Sequence, residues 1–365
     1  MAATDRFDDW AASVVMVGFQ GQEVGDDLRR YVAEGPPAGI IVFRRNISGT
    51  EQAAGLLRDL RALWPEDALT PLMAVDQEGG KVRRLRPPEC PEFLDLPQAR
   101  DVAAGGDPRL TQHLGFICAR QLAAVGFNVD FSPVLDVDSN PENPVIGPRS
   151  YGSSVDTVNT HAIAFTKGLQ EGGVVPCGKH FPGHGDTDLD SHFALPSLPH
   201  ELERLRQIEL APFAAAVAAG MPTMMSAHIV FEALDPQWPA TLSPHVLPTL
   251  LREEMGFDGV VFSDDLEMKA IADHQTPETI AFQGLSASLD VFLVCHELDR
   301  ARAIRSALAD VARRDKTLGA RLEESAARVT RLRRQAEDHA SHPWSGVPMR
   351  VEADAAIARL RASLS

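Results

Sequence analysis

No run of apolar residues in this chain reaches the roughly 18–20 that a bilayer-crossing helix needs. Basic charge is scarce as well: 35 lysines and arginines stand against 51 aspartates and glutamates, for a net charge of −16. That balance argues against nucleic acid and against an anionic membrane surface, since both require basic surface on the protein. Four cysteines in 365 residues, Cys90, Cys118, Cys177 and Cys295, are scattered without CxxC spacing. Three sit in apolar contexts and read as core residues, which fits a reducing cytoplasm and argues against a zinc ribbon or a disulfide framework. The first ten residues carry Asp5, Asp8 and Asp9 rather than the basic-then-apolar order of a secretory signal, so the expected location is cytoplasmic. No GxGxxG or GxxxxGKS follows an apolar run, which weakens nucleotide-binding readings.

What is present is a recurring pattern. Short β-branched runs near Val14–Val17, Ile40–Phe43, Leu72–Val75, Val129–Phe131, Val174–Cys177, Thr223–Ser226, Val260–Ser263 and Val291–Val294 read as strands. Amphipathic stretches such as Gln52–Leu63, Leu110–Val125, Val155–Gly172, Glu201–Ala219 and Leu298–Arg313 fall between them. Strands alternating with helices imply parallel pairing with crossovers, so the predicted fold class is α/β. A single closed (β/α)8 TIM-type barrel fits the count best, with a doubly wound open sheet second. The whole chain, 1–365, reads as one catalytic domain, with a last helix over about 350–364 packed outside the barrel.

In a barrel the carboxyl ends of the strands converge on one face, where catalytic groups collect. The third strand ends in Asp76-Gln77-Glu78-Gly79-Gly80, with Arg83 and Arg84 close behind. The fourth delivers Asp130 and Asp136, the sixth Ser226-Ala227-His228, and the seventh Ser263-Asp264-Asp265. A carboxylate leaving a buried strand is costly to desolvate unless it has a partner or a task. Ser263 or Asp264 could instead cap a helix starting near Leu266; in a second arrangement Asp265 caps while Asp264 faces the pocket. Arg149 could pair with a surface acid or, like Lys179, bind ligand oxygens.

The densest segment is Lys179 to His192, which packs three histidines and three aspartates among glycines and a proline. Gly and Pro mark a loop, and Gly183 and Gly185 would let that loop swing. Asp190 stands two residues before His192, close enough to hydrogen-bond its imidazole and make it a proton donor near neutral pH. A proton donor on one loop and a carboxylate on another strand is a layout for glycoside hydrolysis through a covalent intermediate. His180, His184, Asp186 and His192 are also competent metal ligands, though no HExxH pair occurs.

KHFPGHGDTDLDSH, preceded by AVDQEGGKVRRL and NPVIGPRSYG and followed by VVFSDDLEM, resembles the family 3 glycoside hydrolases. Within them it is similar to the bacterial β-N-acetylhexosaminidases of peptidoglycan recycling, over about residues 10–340. The resemblance implies a barrel that is the whole enzyme, working without metal or organic cofactor. It implies Asp264 as nucleophile, His192 as general acid/base and Asp190 as the group orienting His192. It further implies that Asp76, Arg84, Arg149, Lys179 and His180 bind the sugar, with His228 and Met268 as weaker lining candidates. The expected activity is a retaining exo-β-N-acetylglucosaminidase that removes terminal N-acetylglucosamine from muropeptides such as GlcNAc-1,6-anhydro-MurNAc-peptides. A β-N-acetylglucosaminide phosphorylase, a β-glucosidase and a metal-dependent hydrolase remain as alternatives. The expected partner is a small carbohydrate, with neither nucleic acid nor membrane, and a monomer is the simplest state.

Overall fold

The computed structural model describes residues 6–191, 194–340 and 349–364, and the side chains of 338–353 fall outside that description. Eight strands form the central sheet: β1 (Val15–Val17), β2 (Gly39–Ile41), β3 (Leu72–Val75), β4 (Val129–Asp130), β5 (Val175–Phe181), β6 (Thr223–Ser226), β7 (Val260–Ser263) and β8 (Phe292–Val294). Neighbours pair in parallel in the order β8-β1-β2-β3-β4-β5-β6-β7. A parallel bridge between Phe262 and Val291 joins the last strand back to β8. The sheet is therefore a (β/α)8 barrel, as the alternation of runs predicts. Its strands are near-continuous apolar runs because helices cover their outer faces and side chains fill the interior. Every residue of β1 to β8 is buried.

The outer layer starts its helices where the sequence supplies caps. Asp107, Ser154 and Thr276 accept hydrogen bonds from the first-turn amides of Pro108–Val125, Val155–Glu171 and Pro277–Ser286. The stretch predicted as one helix over 201–219 is two, Leu202–Gln207 and Ala211–Ala218. Pro212 explains the break, because proline fits a first helical turn and not an interior. A 25-residue helix, Lys316–Ala340, follows Leu298–Arg314. The last helix, Met349–Leu364, buries Ala356, Ile357 and Leu360 against the rest of the core. No helix of the described residues is long and apolar enough to cross a membrane.

β5 runs four residues past its predicted end at Cys177. Its extension, Gly178 to Phe181, carries a lysine and a histidine, and so reads as loop from polarity alone. The ladder continues there because Leu135 N–H donates to Lys179 O at 2.6 Å and Lys179 pairs with Met225 of β6. The register shifts between Lys179 and Phe181. In a regular strand Lys179 and His180 would point to opposite faces. The irregularity re-aims them, as bulges do beside active sites, and both line the same cavity.

Candidate active site

A cavity of about 240 Å³ opens at the carboxyl ends of the strands and is lined by Asp76, Glu78, Arg84, Arg149, Lys179, His180 and Asp264, among others. β3 supplies its first wall. The Gln77 side chain donates to Leu85 O at 2.7 Å and accepts from Arg84 and Leu85 N–H. That clasp folds the segment after β3 back on itself, so that Arg84 reaches Asp76 at 3.0 Å. Behind the wall, burial pushes the Asp130 carboxyl up to about 7 against hydrogen bonds from Ser132 Oγ and Gln77 N–H.

Lys179 is the hub. Its Nζ lies 2.8 Å from Asp76 Oδ1 and 2.6 Å from Glu78 Oε1, with its side chain only 3% exposed. Glu78 also accepts two bonds from the Arg149 guanidinium, both 2.8 Å, in the bidentate form that favours arginine over lysine. Burial alone would raise both acids, but the surrounding cations outweigh it. Lys179 and Arg84 hold Asp76 below its usual range. Arg149 and Lys179 hold Glu78 well below. The reciprocal attraction raises Lys179 and Arg149 above theirs, against desolvation. All four groups stay ionised, and their remaining donor and acceptor capacity points into a small polar pocket.

His180 is fixed from behind by Asp136, whose Oδ2 lies 2.7 Å from Nδ1. Arg149 approaches the other ring nitrogen at 3.4 Å and can only donate. Nδ1 is therefore the donor to Asp136, and Nε2 is the acceptor that faces Arg149. Asp136 also accepts the backbone N–H of His184 at 2.7 Å. It stays below its usual range because the histidines and these hydrogen bonds overcome its burial.

β3 and β7 stand four places apart in a ring of eight, so the Asp76 cluster faces the end of β7 across the barrel. There Asp264 and Asp265 line the cavity together. Asp265 does not cap a helix, since the next one, Lys269–Ala272, begins later with Met268 at its cap. Its Oδ1 instead accepts Glu267 N–H at 3.1 Å and Cys295 N–H at 3.2 Å, tying β7 to β8. Burial pushes the Asp265 carboxyl up to about 7, helped by the negative charges of Glu267 and Asp264. Asp264 Oδ1 accepts the Asp265 N–H at 2.8 Å. Phe43, Phe131, Met225 and Leu293 supply apolar wall, and the exposed His296 stacks on Phe43 at 5.9 Å.

Residues 8–332 match the family model described as the glycosyl hydrolase family 3 N terminal domain. The protein is a family 3 glycoside hydrolase. It is 36% identical over 296 residues to a β-hexosaminidase of Methylococcus capsulatus, spanning 80% of this chain and 86% of that one. Among solved structures it resembles a family 3 β-N-acetylglucosaminidase from Paenibacillus sp. FPU-7, with TM-score 0.91 and 36% identity over 98% of this chain and 68% of that one. It also resembles NagZ from Neisseria gonorrhoeae, solved in complex with N-trifluoroacetyl-D-glucosamine, with TM-score 0.77 and 30% identity over 97% and 98% of the two chains.

Within this glycoside hydrolase the predicted sugar-binding set, Asp76, Arg84, Arg149, Lys179 and His180, lines one cavity with Asp264. His192, the predicted acid/base, lies outside the described residues. Asp190 lines an adjoining cavity rather than this one. His228 and Met268 are not among the lining residues. His228 is buried against Thr241 Oγ1 at 2.8 Å and Asp265 O at 3.0 Å, and Met268 is only 5% exposed in the core. Glu78 was not singled out from sequence, although its spacing of two from Asp76 puts it on the same side of an extended chain. Among the described residues no cluster of three His, Cys, Asp or Glu could hold a metal. The ligand candidates are engaged elsewhere: His180 with Asp136, His184 with Thr187 and Ser191, and Asp186 with His200.

Gly183 and Gly185 serve packing in this structure. Gly183 adopts φ +138°, and a Cβ at Gly185 would lie 1.7 Å from Val137 O. Asn143 Nδ2 donates to His184 O at 2.9 Å and Ser139 Oγ to Asp186 at 3.1 Å, so the stem of the loop is pinned. Gly185→Ala is expected to displace that stem and lower kcat at least about tenfold, a misplacement effect of the kind that small shifts in catalytic geometry produce. Wild-type kcat in this variant would refute a positioning role for the stem.

Proposed function

We propose that this enzyme is a retaining exo-β-N-acetylglucosaminidase acting on cell-wall muropeptides such as GlcNAc-1,6-anhydro-MurNAc-peptides. The observation that carries the reading is the end of β7, where Asp264 lines the cavity across the barrel from the Asp76–Lys179–Glu78–Arg149 cluster. The similarity to β-hexosaminidases over most of the chain supports the choice of sugar. The size of the cavity, about 240 Å³, is below the roughly 300–1,000 Å³ of drug-sized sites and suits a single terminal ring, as exo action requires.

In this reading the paired acids and cations hold the hydroxyls of the terminal sugar. Asp264 attacks the anomeric carbon as the bond to the leaving oxygen breaks, and His192, oriented by Asp190, gives that oxygen its proton. A glycosyl ester on Asp264 results. His192 then takes a proton from water, which attacks the same carbon and frees Asp264. Two inversions return the β configuration. The buried, unpaired cysteines fit a reducing cytoplasm, and the whole chain would work as one catalytic unit.

The test is turnover of aryl β-N-acetylglucosaminide beside aryl β-glucoside, with and without phosphate, reading the first-formed product by NMR. We expect hydrolysis of the first substrate only, with free β-N-acetylglucosamine as product. Glucoside turnover would overturn the sugar, a sugar 1-phosphate would overturn hydrolysis, and an α product would overturn retention.

A further inference from the structure

A second cavity of about 280 Å³ adjoins the first and shares Val82, Val145 and Arg149 with it. Pro144, Ile146 and Pro148 give it an apolar wall, and Lys81 and Asp190 are its other charged residues besides Arg149. The geometry points to this cavity as the seat of the leaving group, and to Lys81 as the residue that selects leaving groups carrying a carboxylate. The inference rests on the proposed glycosidase reading.

Two independent observations carry it. The first is position. A group that protonates the departing oxygen must stand on the leaving-group side of the scissile bond. On the loop proposed to bear that group, Asp190 lines the second cavity and the next residue, Ser191, lines the first, so the loop stands at the boundary between them. The shared residues make the two cavities immediate neighbours, so a ligand whose terminal ring sits against Asp76 and Lys179 would extend past Arg149 towards the second. The apolar wall suits the face of a sugar or aryl ring.

The second observation is charge. Arg84, Arg149 and Lys179 each carry a carboxylate partner. Lys81 is exposed, and among the described residues it has neither an ion pair nor a hydrogen bond, including with Asp190 in the same cavity. Asp190 itself is not without a partner. In a chain with 51 acidic and 35 basic residues, an ammonium left unmatched at the mouth of a ligand path is available to an anion brought by the ligand.

The experiment uses two phenyl β-N-acetylglucosaminides that differ at one ring position, carboxylate in one and carboxamide in the other. Comparing kcat/KM for both, in wild type and in Lys81→Gln, gives a double ratio from which the difference in leaving-group acidity cancels. We expect the preference for the carboxylate to fall about two- to five-fold in Lys81→Gln, the range of an exposed ion pair. It should fall further in Lys81→Glu and shrink in wild type as salt is raised. A double ratio of one in both variants, with both substrates turned over, would overturn this inference alone. Turnover of neither substrate by wild type would overturn the glycosidase reading and this inference with it.

Discussion

Asp264→Ala is expected to lower turnover of an aryl β-N-acetylglucosaminide by at least about 10³-fold, equivalent to about 4 kcal/mol of transition-state stabilisation. Thermal unfolding should change little. The side chain is only half-buried at the cavity wall, and a contact such as its bond from Asp265 N–H is worth about 1 kcal/mol in ordinary cases. The nucleophile makes the bond that defines the covalent route, so no neighbour substitutes for it readily. Asp265 is not a spare: its oxygen is committed to two backbone amides and its carboxyl is pushed up to about 7. Azide distinguishes a nucleophile from a binding group. A small anion entering the space vacated by the carboxylate should restore turnover and give the α-glycosyl azide, the product of one inversion. Activity within tenfold of wild type in the alanine variant would remove Asp264 from the chemistry. Loss without azide rescue would leave it a binding residue.

The barrel and most of the pocket were legible because strand ends are strongly marked. An apolar run followed by an acid, as at Val75–Asp76 and Ser263–Asp264, reports a chain leaving a buried layer for a polar face. What sequence misses is decided by pairing across elements. Lys179 reads as loop because nothing local shows that Asp76 and Glu78 will neutralise it inside a strand. Asp265 reads as a helix cap because the amide of Cys295, 30 residues on, is invisible in the local pattern. Gly185 reads as a pivot because close approach to Val137 O depends on a segment 48 positions away. His228 reads as pocket-facing from its place after β6, and its burial against Thr241 and the Asp265 carbonyl decides otherwise. Local signals locate the polar residues, and the long-range partners set their roles.

Lys179→Met shows how far stability and binding are joined here. The methionine keeps much of the volume and removes the charge, leaving Asp76 with Arg84 and Glu78 with Arg149. Removing one member of a buried ionic cluster typically costs about 3–5 kcal/mol, because the remaining charges stay desolvated. We expect a loss of that size in chemical unfolding at pH 7, together with a KM for the N-acetylglucosaminide raised at least about tenfold. The sign of the pH dependence follows from the direction of the shifts. Asp76 and Glu78 sit below their unfolded values. Their contribution to stability is therefore complete above the unfolded carboxylate range, about pH 4, and is lost as pH falls through the depressed folded values. Without Lys179 those folded values rise, so the acid limb of unfolding should move to higher pH in the variant, while Lys179→Arg should recover part of the stability. A methionine variant with unchanged acid unfolding and a raised KM would make Lys179 a ligand contact without a structural share. An unchanged KM with lost stability would take it out of the sugar site, leaving the acids of β3 to hold the ring with Arg84 and Arg149.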